Sequence, residues 1–427
     1  MTVIRRLFIL AWFLIVLTMG CAPAPNNSNT TVSNQPSPSP SASASPSPAT
    51  TTDTASVEVT LPLLDALLTD DKFVARLKKD VKISDEQVES IKRASTASIA
   101  RLRETNAEDS EDTDGNPRQR AADELRSILG EDKAKEVARV ANEYWSKGDA
   151  SEAANDNVQM LKGPNAVPTD TRVVVNIPAF RMDVFQDGSL VKSYKVGIGY
   201  PQFPLPLGLR RAQQIIFNPT WTPPDSPWVA KMKNVTPGET VEAGDKDNPL
   251  GPIKIPIGLP SLIHGGKSPA KIGKFASHGC VGLTDAQIKD FATLLGQASN
   301  TPDVPTRMAT YLEDKEKTQT VKLNQTVPVE LRYETIVLED GKLHIYRDVY
   351  AQDTNTEENL RRVLEANGLK LEDLSEQQRT QILNALNSKP KKEVVIDLGT
   401  ATQAQKGYPA PVDLDTGSGK KPASKRT

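Results

Sequence analysis

The chain has 427 residues but only two cysteines and three histidines. Two cysteines cannot build the disulfide framework of a small secreted scaffold. With so few Cys and His, no spacing reads as a zinc site. Aromatic residues make up 5% of the chain and the formal net charge is −2. No concentrated basic face with aromatic stacking residues is present, which excludes nucleic acid as a partner. The apolar run from Leu7 to Leu17 falls short of the about 20 residues a comfortable membrane span needs. Nothing in the sequence calls for a cofactor or a metal.

What is there begins with export. Arg5 and Arg6 precede the apolar run, and together they read as a secretory signal over residues 1–20. The run ends in Leu17-Thr18-Met19-Gly20-Cys21, which resembles a bacterial lipobox, with Thr18 where that motif usually has Leu. The resemblance implies lipidation at Cys21 and a body held outside the cytoplasm, in the periplasm or cell envelope, on a membrane surface that it does not span. Residues 21–56 are low-complexity Asn, Thr, Ser, Pro and Ala, a composition that makes an extended tether and no core.

From 57 to 162 the pattern is helical. Ser84 and Gln87 are spaced as a capping box, with Val88, Ile91, Ser95, Ile99 and Leu102 behind them at helical intervals. Leu125, Ile128, Leu129, Val137, Val140 and Tyr144 give a second stripe. The expectation is a helical hairpin or bundle, serving as a spacer or as a docking domain for a wall or envelope protein. The acidic stretch Glu108–Gly115 does not fit a calcium loop. With Gly115 at the sixth position, the first ligand would be Ser110 and the twelfth Ala121, where a bidentate Glu is needed.

From about 170 to 350 the pattern changes to strands. Val173–Ile177 and Phe180–Phe185 precede Asp187-Gly188, a hairpin turn signal, and Leu190–Gly197 follows it. Thr284 and Gln287 form a second capping box, and Ile288, Phe291, Leu294 and Leu295 make a buried stripe behind it. Just ahead lies Ser277-His278-Gly279-Cys280, and 16 residues before Cys280 is His264 in Ile263-His264-Gly265. One thiol and two imidazoles so close in a His-poor chain are the ingredients of an activated Cys nucleophile. Either imidazole is a candidate base. Cys280 stands four residues ahead of the helix cap, so the helix dipole offers the thiol little and a histidine must activate it.

This segment resembles the L,D-transpeptidase catalytic domain of the YkuD type, a bacterial peptidoglycan cross-linking family. The resemblance rests on Pro219-Thr220-Trp221-Thr222-Pro223-Pro224, Pro237-Gly238, Asn248-Pro249-Leu250-Gly251, Ile263-His264-Gly265, Ile272-Gly273 and Ser277-His278-Gly279-Cys280-Val281. Pro328–Thr335 and Asp348-Val349-Tyr350 add to it. It implies a mainly-β catalytic domain that works without a cofactor. It makes Cys280 the nucleophile and His264 the general base, oriented by the Gly265 carbonyl. His278 supports the loop or is the alternative base, Ser277 fixes the loop, and backbone N–H groups around Gly279 and Cys280 receive the oxyanion. It also implies peptidoglycan stem peptides as donor and acceptor, with a 3→3 cross-link as product and D-alanine released.

One position departs from the family pattern. Gly282 stands two residues after the nucleophile, where the family usually has Arg or Asn. Lys267, Lys271 and Lys274 lie between the motifs as candidate replacements for that charge, and Trp221 joins them as a candidate substrate contact. The third histidine, His344, alternates with Leu343 and Ile345 and reads as a surface strand position. Residues 351–388 carry two short helical patterns. Residues 389–427, with Lys420, Lys421, Lys425 and Arg426 near the end, read as a mostly disordered tail. The fold class is therefore mixed: a mainly-β catalytic domain with a helix after the nucleophile, helices before it, and short helices after it. Two other functions stay open. The same dyad could pass the thioester to water as an L,D-carboxypeptidase or endopeptidase, or the chain could be a silent wall-binding lipoprotein.

Overall fold

The computed structural model describes residues 59–105, 116–147, 158–224, 229, 232–258, 261–399 and 407–418. The signal segment, Cys21, the tether, the acidic stretch Glu108–Gly115 and the last four basic residues lie outside these.

The N-terminal region folds as α1 (Leu61–Leu67), α2 (Asp71–Asp80), α3 (Asp85–Thr105), α4 (Pro117–Leu129) and α5 (Glu131–Lys147). The side chains of Thr60, Asp70 and Asn116 cap α1, α2 and α4. Ser84 and Gln87 form the reciprocal box ahead of α3. The stripe Val88, Ile91, Ser95, Ile99 and Leu102 is buried, and Phe73, Leu77, Leu125, Val137 and Trp145 complete a bundle core. The bundle packs against the rest of the chain, and its polar contacts there include two made by side chains. Thr60 Oγ1 donates to Gln202 O at 2.8 Å, and the Arg118 guanidinium donates to Ala351 O.

The second region supplies β1 (Arg172–Asn176), β2 (Arg181–Gln186), β3 (Ser189–Lys195), β4 (Ile198–Gly199), β5 (Gly208–Phe217), β6 (Ile253–Pro256), β7 (Leu262–His264), β8 (Phe275–Ser277) and β9 (Val281–Gly282). After these come α6 (Asp285–Ala298), α7 (Val304–Tyr311) and β10 (Gln319–Arg332). One sheet runs in the order β3-β2-β1-β10-β5-β6-β7-β9, and β4 pairs separately with β8. Asp187 and Gly188 both take positive φ, the requirement of a tight hairpin between twisted strands. The core between sheet and α6 holds Val173, Val175, Ile215, Phe217, Ile263, Val281, Ile288, Phe291 and Leu295.

The C-terminal part carries more structure than its sequence suggests. Ile336–Glu339 (β11) and Lys342–Ile345 (β12) do not close the catalytic sheet; with Val394–Asp397 (β13) they form a sheet of their own. Helices α8 (Glu357–Ala366) and α9 (Glu376–Asn387) cover it through Leu360, Val363, Leu364, Ile382 and Leu386, making a small α/β module. The tail is also more ordered than its composition suggests. The Ser193 and Lys195 N–H groups donate to Val412 O and Asp415 O, each at 2.9 Å, and the Asp415 N–H returns a bond to Ser193 O. The reason is that β3 is an edge strand, and its backbone groups need a partner. His344 is half-buried between the fully buried Leu343 and Ile345, and its Nδ1 sits 2.7 Å from Glu393 Oε1.

Candidate functional site

The site is assembled by the short parallel pair β7 and β9. Their register sets Ile263 opposite Val281 and His264 opposite Gly282. Leu283 N–H donates to His264 O at 2.8 Å, and Lys267 N–H donates to Leu283 O at 3.1 Å. His264 is thereby fixed at the end of one strand, while Cys280 stands immediately before the other.

The loop that presents Cys280 is closed on itself. The Cys280 N–H donates to Ser277 Oγ at 3.1 Å, and the same hydroxyl donates to Cys280 O. Gly279 between them has φ +94°, a conformation that strains any residue with a Cβ. Ser277 is therefore a loop clamp. Its bond also occupies the Cys280 N–H, one of the backbone groups expected to receive the oxyanion. His278 packs against Phe203 in an edge-on contact (4.7 Å between ring centroids) and tilts over Tyr200 at 5.6 Å.

His264 is buried, and its Nδ1 lies 2.7 Å from Gly265 O. A carbonyl can only accept, so Nδ1 carries the proton and Nε2 keeps its lone pair. Burial, followed by the charge of Lys267, drives the imidazole pKa down to about 3, against the pull of the Gly265 and Leu250 carbonyls. Cys280 is a free, half-buried thiol. Burial pushes its pKa up, while the Leu262 backbone and the Lys267 charge pull it down. Both shifts favour a neutral thiol beside a neutral imidazole over a preformed thiolate–imidazolium ion pair.

Gly265 leaves no room for a side chain, since a Cβ there would lie 2.8 Å from Ile288 Cγ2 and 3.1 Å from Asp285 Oδ1. Asp285, which sequence reasoning passed over, accepts from Gly266 N–H at 2.8 Å and so ties the His264 loop to the first turn of α6. Asn248 was also missed as an individual residue. Its Oδ1 accepts from Leu250 N–H at 3.1 Å and its Nδ2 donates to Pro219 O at 2.7 Å, setting the segment whose carbonyl acts on His264. Both residues stood within or beside the quoted motifs, but their partners are distant in sequence.

The three lysines separate. Lys267 packs on Gly282, where a Cβ would fall 2.8 Å from its Cγ and 2.9 Å from its Cε. Lys271 ends a short 3-10 turn and reaches Tyr200 OH at 3.4 Å. Lys274 lines a different cavity, shared with Lys195 and Arg347. Trp221, the candidate substrate contact, is largely buried. It is only 9% exposed, packs with Val229 and Leu250, and pairs backbone to backbone with Val241.

Residues 170–320 match the L,D-transpeptidase catalytic domain family, YkuD. Among solved structures, the YkuD-type region is similar to the catalytic domain of an E. faecium L,D-transpeptidase. That match is 17% identical and covers 39% of this chain and 100% of that one, with a TM-score of 0.25. An Ldtfm–avibactam carbamoyl enzyme is 16% identical over 38% of this chain and 49% of its own, with a TM-score of 0.23. An L,D-transpeptidase from Mycobacterium smegmatis is 16% identical over 38% of this chain and 58% of its own, with a TM-score of 0.23. This chain thus spans about half the length of the second structure and under two thirds of the third. No curated protein matches.

Proposed function

We propose that this chain is a cysteine-dependent L,D-transpeptidase that forms 3→3 cross-links between peptidoglycan stem peptides. The observation that carries the reading is His264, neutral, buried and oriented by Gly265 O, at the β7–β9 register that also places Cys280. His264 Nε2 takes the thiol proton as Sγ attacks the carbonyl carbon of the third residue of a donor stem. The carbonyl oxygen becomes an oxyanion facing the Gly279 N–H. The bond to the terminal D-alanine nitrogen then breaks, and that nitrogen leaves with the proton held by His264. A thioester remains. The side-chain amine of a second stem attacks it, gives up a proton through His264 to the sulfur, and leaves as the cross-linked product.

The N-terminal sequence supports a body held outside the cytoplasm by a lipid on Cys21. Radiolabelled palmitate should enter the native chain and not its Cys21→Ala variant.

The activity is tested by mass spectrometry of disaccharide-tetrapeptides incubated with the chain lacking residues 1–56, beside Cys280→Ala. Cross-linked dimers with loss of D-alanine, absent in the control, carry the reading. Tripeptide monomers alone move it to an L,D-carboxypeptidase, in which water resolves the thioester. No Cys280-dependent product leaves a silent wall-binding lipoprotein.

A further inference from the structure

Between the YkuD-type region and the C-terminal module lies a cavity of about 580 Å³, within the size range of small-molecule sites. Five cationic side chains line it: Lys195, Lys274, Arg347, Lys391 and Lys392. They come from four separate segments of the chain, so no single basic run explains their convergence. Glu393 is the one carboxylate among the lining residues, and its Oε1 is already engaged with His344 Nδ1 at 2.7 Å.

The cations sit at two depths. Lys195 forms the inner wall, where its Nζ donates to Ala179 O at 3.0 Å and burial lowers its pKa. Arg347 lies over the Phe275 ring, 5.6 Å from its centroid, a stacking that pre-orients the planar guanidinium. Lys274, Lys391 and Lys392 are exposed at the mouth. Like charges gathered around a cavity repel one another, and walls of low dielectric focus their field on whatever enters. An anion with more than one charged group relieves that repulsion and finds both a fork-shaped donor and point charges.

We propose that this cavity binds a small polyanion, a phosphate ester or an oligocarboxylate, and that the ligand clamps the C-terminal module to the catalytic region. The site is separate from the nucleophile, although Phe275 on its wall belongs to β8, the strand that ends in Ser277.

Calorimetry on the chain from residue 57 onward, with inorganic pyrophosphate, citrate and uncharged glucose as probes, tests this. Saturable binding of either anion, with none of glucose, is expected. Tighter pyrophosphate binding assigns phosphate as the natural group, and tighter citrate binding assigns carboxylates. Reversing the mouth in Lys391→Glu/Lys392→Glu should weaken the anion at least tenfold and abolish the ligand-induced rise in melting temperature. Arg347→Gln, which leaves the mouth intact, should weaken it as well. Absence of saturable binding to either anion, or unchanged affinity in both variants when their ligand-free melting matches the native chain, overturns the proposal.

Discussion

Strands β2, β1 and β10 and strands β7 and β9 belong to one sheet, yet they treat buried ionisable groups in opposite ways. On the first set, charge is kept and paired. Glu330 on β10 is held by the Arg172 guanidinium and by Arg332 Nε at 2.9 Å. Arg181 on β2 reaches Asp183 at 2.8 Å and Glu339 at 2.6 Å, and Asp183 also accepts from Ser193 and Tyr408. On the second set, ionisation is suppressed: the His264 imidazole is neutral and the Cys280 thiol is raised. Burial is the largest cause of the second outcome, helped at His264 by the Lys267 charge, and the first needs a full complement of opposite charges. A scaffold can afford fixed ion pairs, but the pair proposed to react must be able to exchange a proton, which a permanent counter-ion would lock in place.

The largest expected effect comes from removing the exchanging pair. Cys280→Ala should abolish turnover, and His264→Ala should lower kcat/KM by about 10³ or more. The pH profile sharpens the point. A base with its pKa near 3 remains unprotonated through the mildly acidic range, so the acid limb of kcat/KM should fall well below pH 5. A limb near the ordinary histidine value of about 6.5 would move the base role to another imidazole. Folding stability carries the same signature. Because the folded pKa is depressed, the unfolded chain binds more protons between about 6.5 and 3. The His264 contribution is complete above that window and is lost as pH falls through it.

Next in size is the paired region. Glu330→Gln removes the buried charge shared by Arg172 and Arg332. Asp170 still pairs Arg172, but among the described residues Arg332 keeps only Glu334 Oε2, at 3.9 Å, as an ionic partner. The variant should be destabilised by about 3–5 kcal/mol. Denaturant unfolding followed by circular dichroism measures this. A loss under about 1 kcal/mol would mean that the network adds little beyond packing.

Much of this layout was readable beforehand wherever the signal is local. Ser84 with Gln87, Thr284 with Gln287 and the Asp187-Gly188 turn each act over a few residues, and each formed as expected. The Cys–His motif stood out because its residue types are scarce, and the short β7–β9 pair sets its two segments side by side. Non-local pairing was not. β12 joins residues about fifty positions later in β13, and the tail residue Asp415 meets Ser193 and Gln287 across the fold. No periodicity announces such partners. The burial of Trp221 was hidden for the same reason, since its pocket is built from Val229, Val241 and Leu250. The lysines could be separated only once the space beside Gly282 was seen to hold Lys267.

Between the two regions lies Arg210 on β5, which obeys neither rule. It is 2% exposed, and its guanidinium nitrogens have no hydrogen-bond partner among the described residues. Burial pushes its pKa down to about 9. A lone buried cation costs stability that an apolar side chain of similar length does not. Arg210→Met should therefore raise the midpoint of thermal unfolding, by an amount worth about 1–3 kcal/mol. Destabilisation instead would show that the guanidinium has a partner that holds it charged.

The smallest effect tests Lys267, a charge placed close to the suppressed region. Lys267 lowers the pKa of both Cys280 and His264, so it favours the thiolate while holding the imidazole neutral. Lys267→Met keeps the packing volume over Gly282 and removes only the charge. The thiol pKa should then rise, and alkylation of Cys280 by iodoacetamide at pH 7 should slow by about three- to tenfold, in proportion to the thiolate lost. The effect should weaken as salt is added, because Lys267 remains partly exposed and its field is screened. An unchanged alkylation rate at low salt would leave Lys267 as a packing residue. The neutral pair would then owe its state to burial alone.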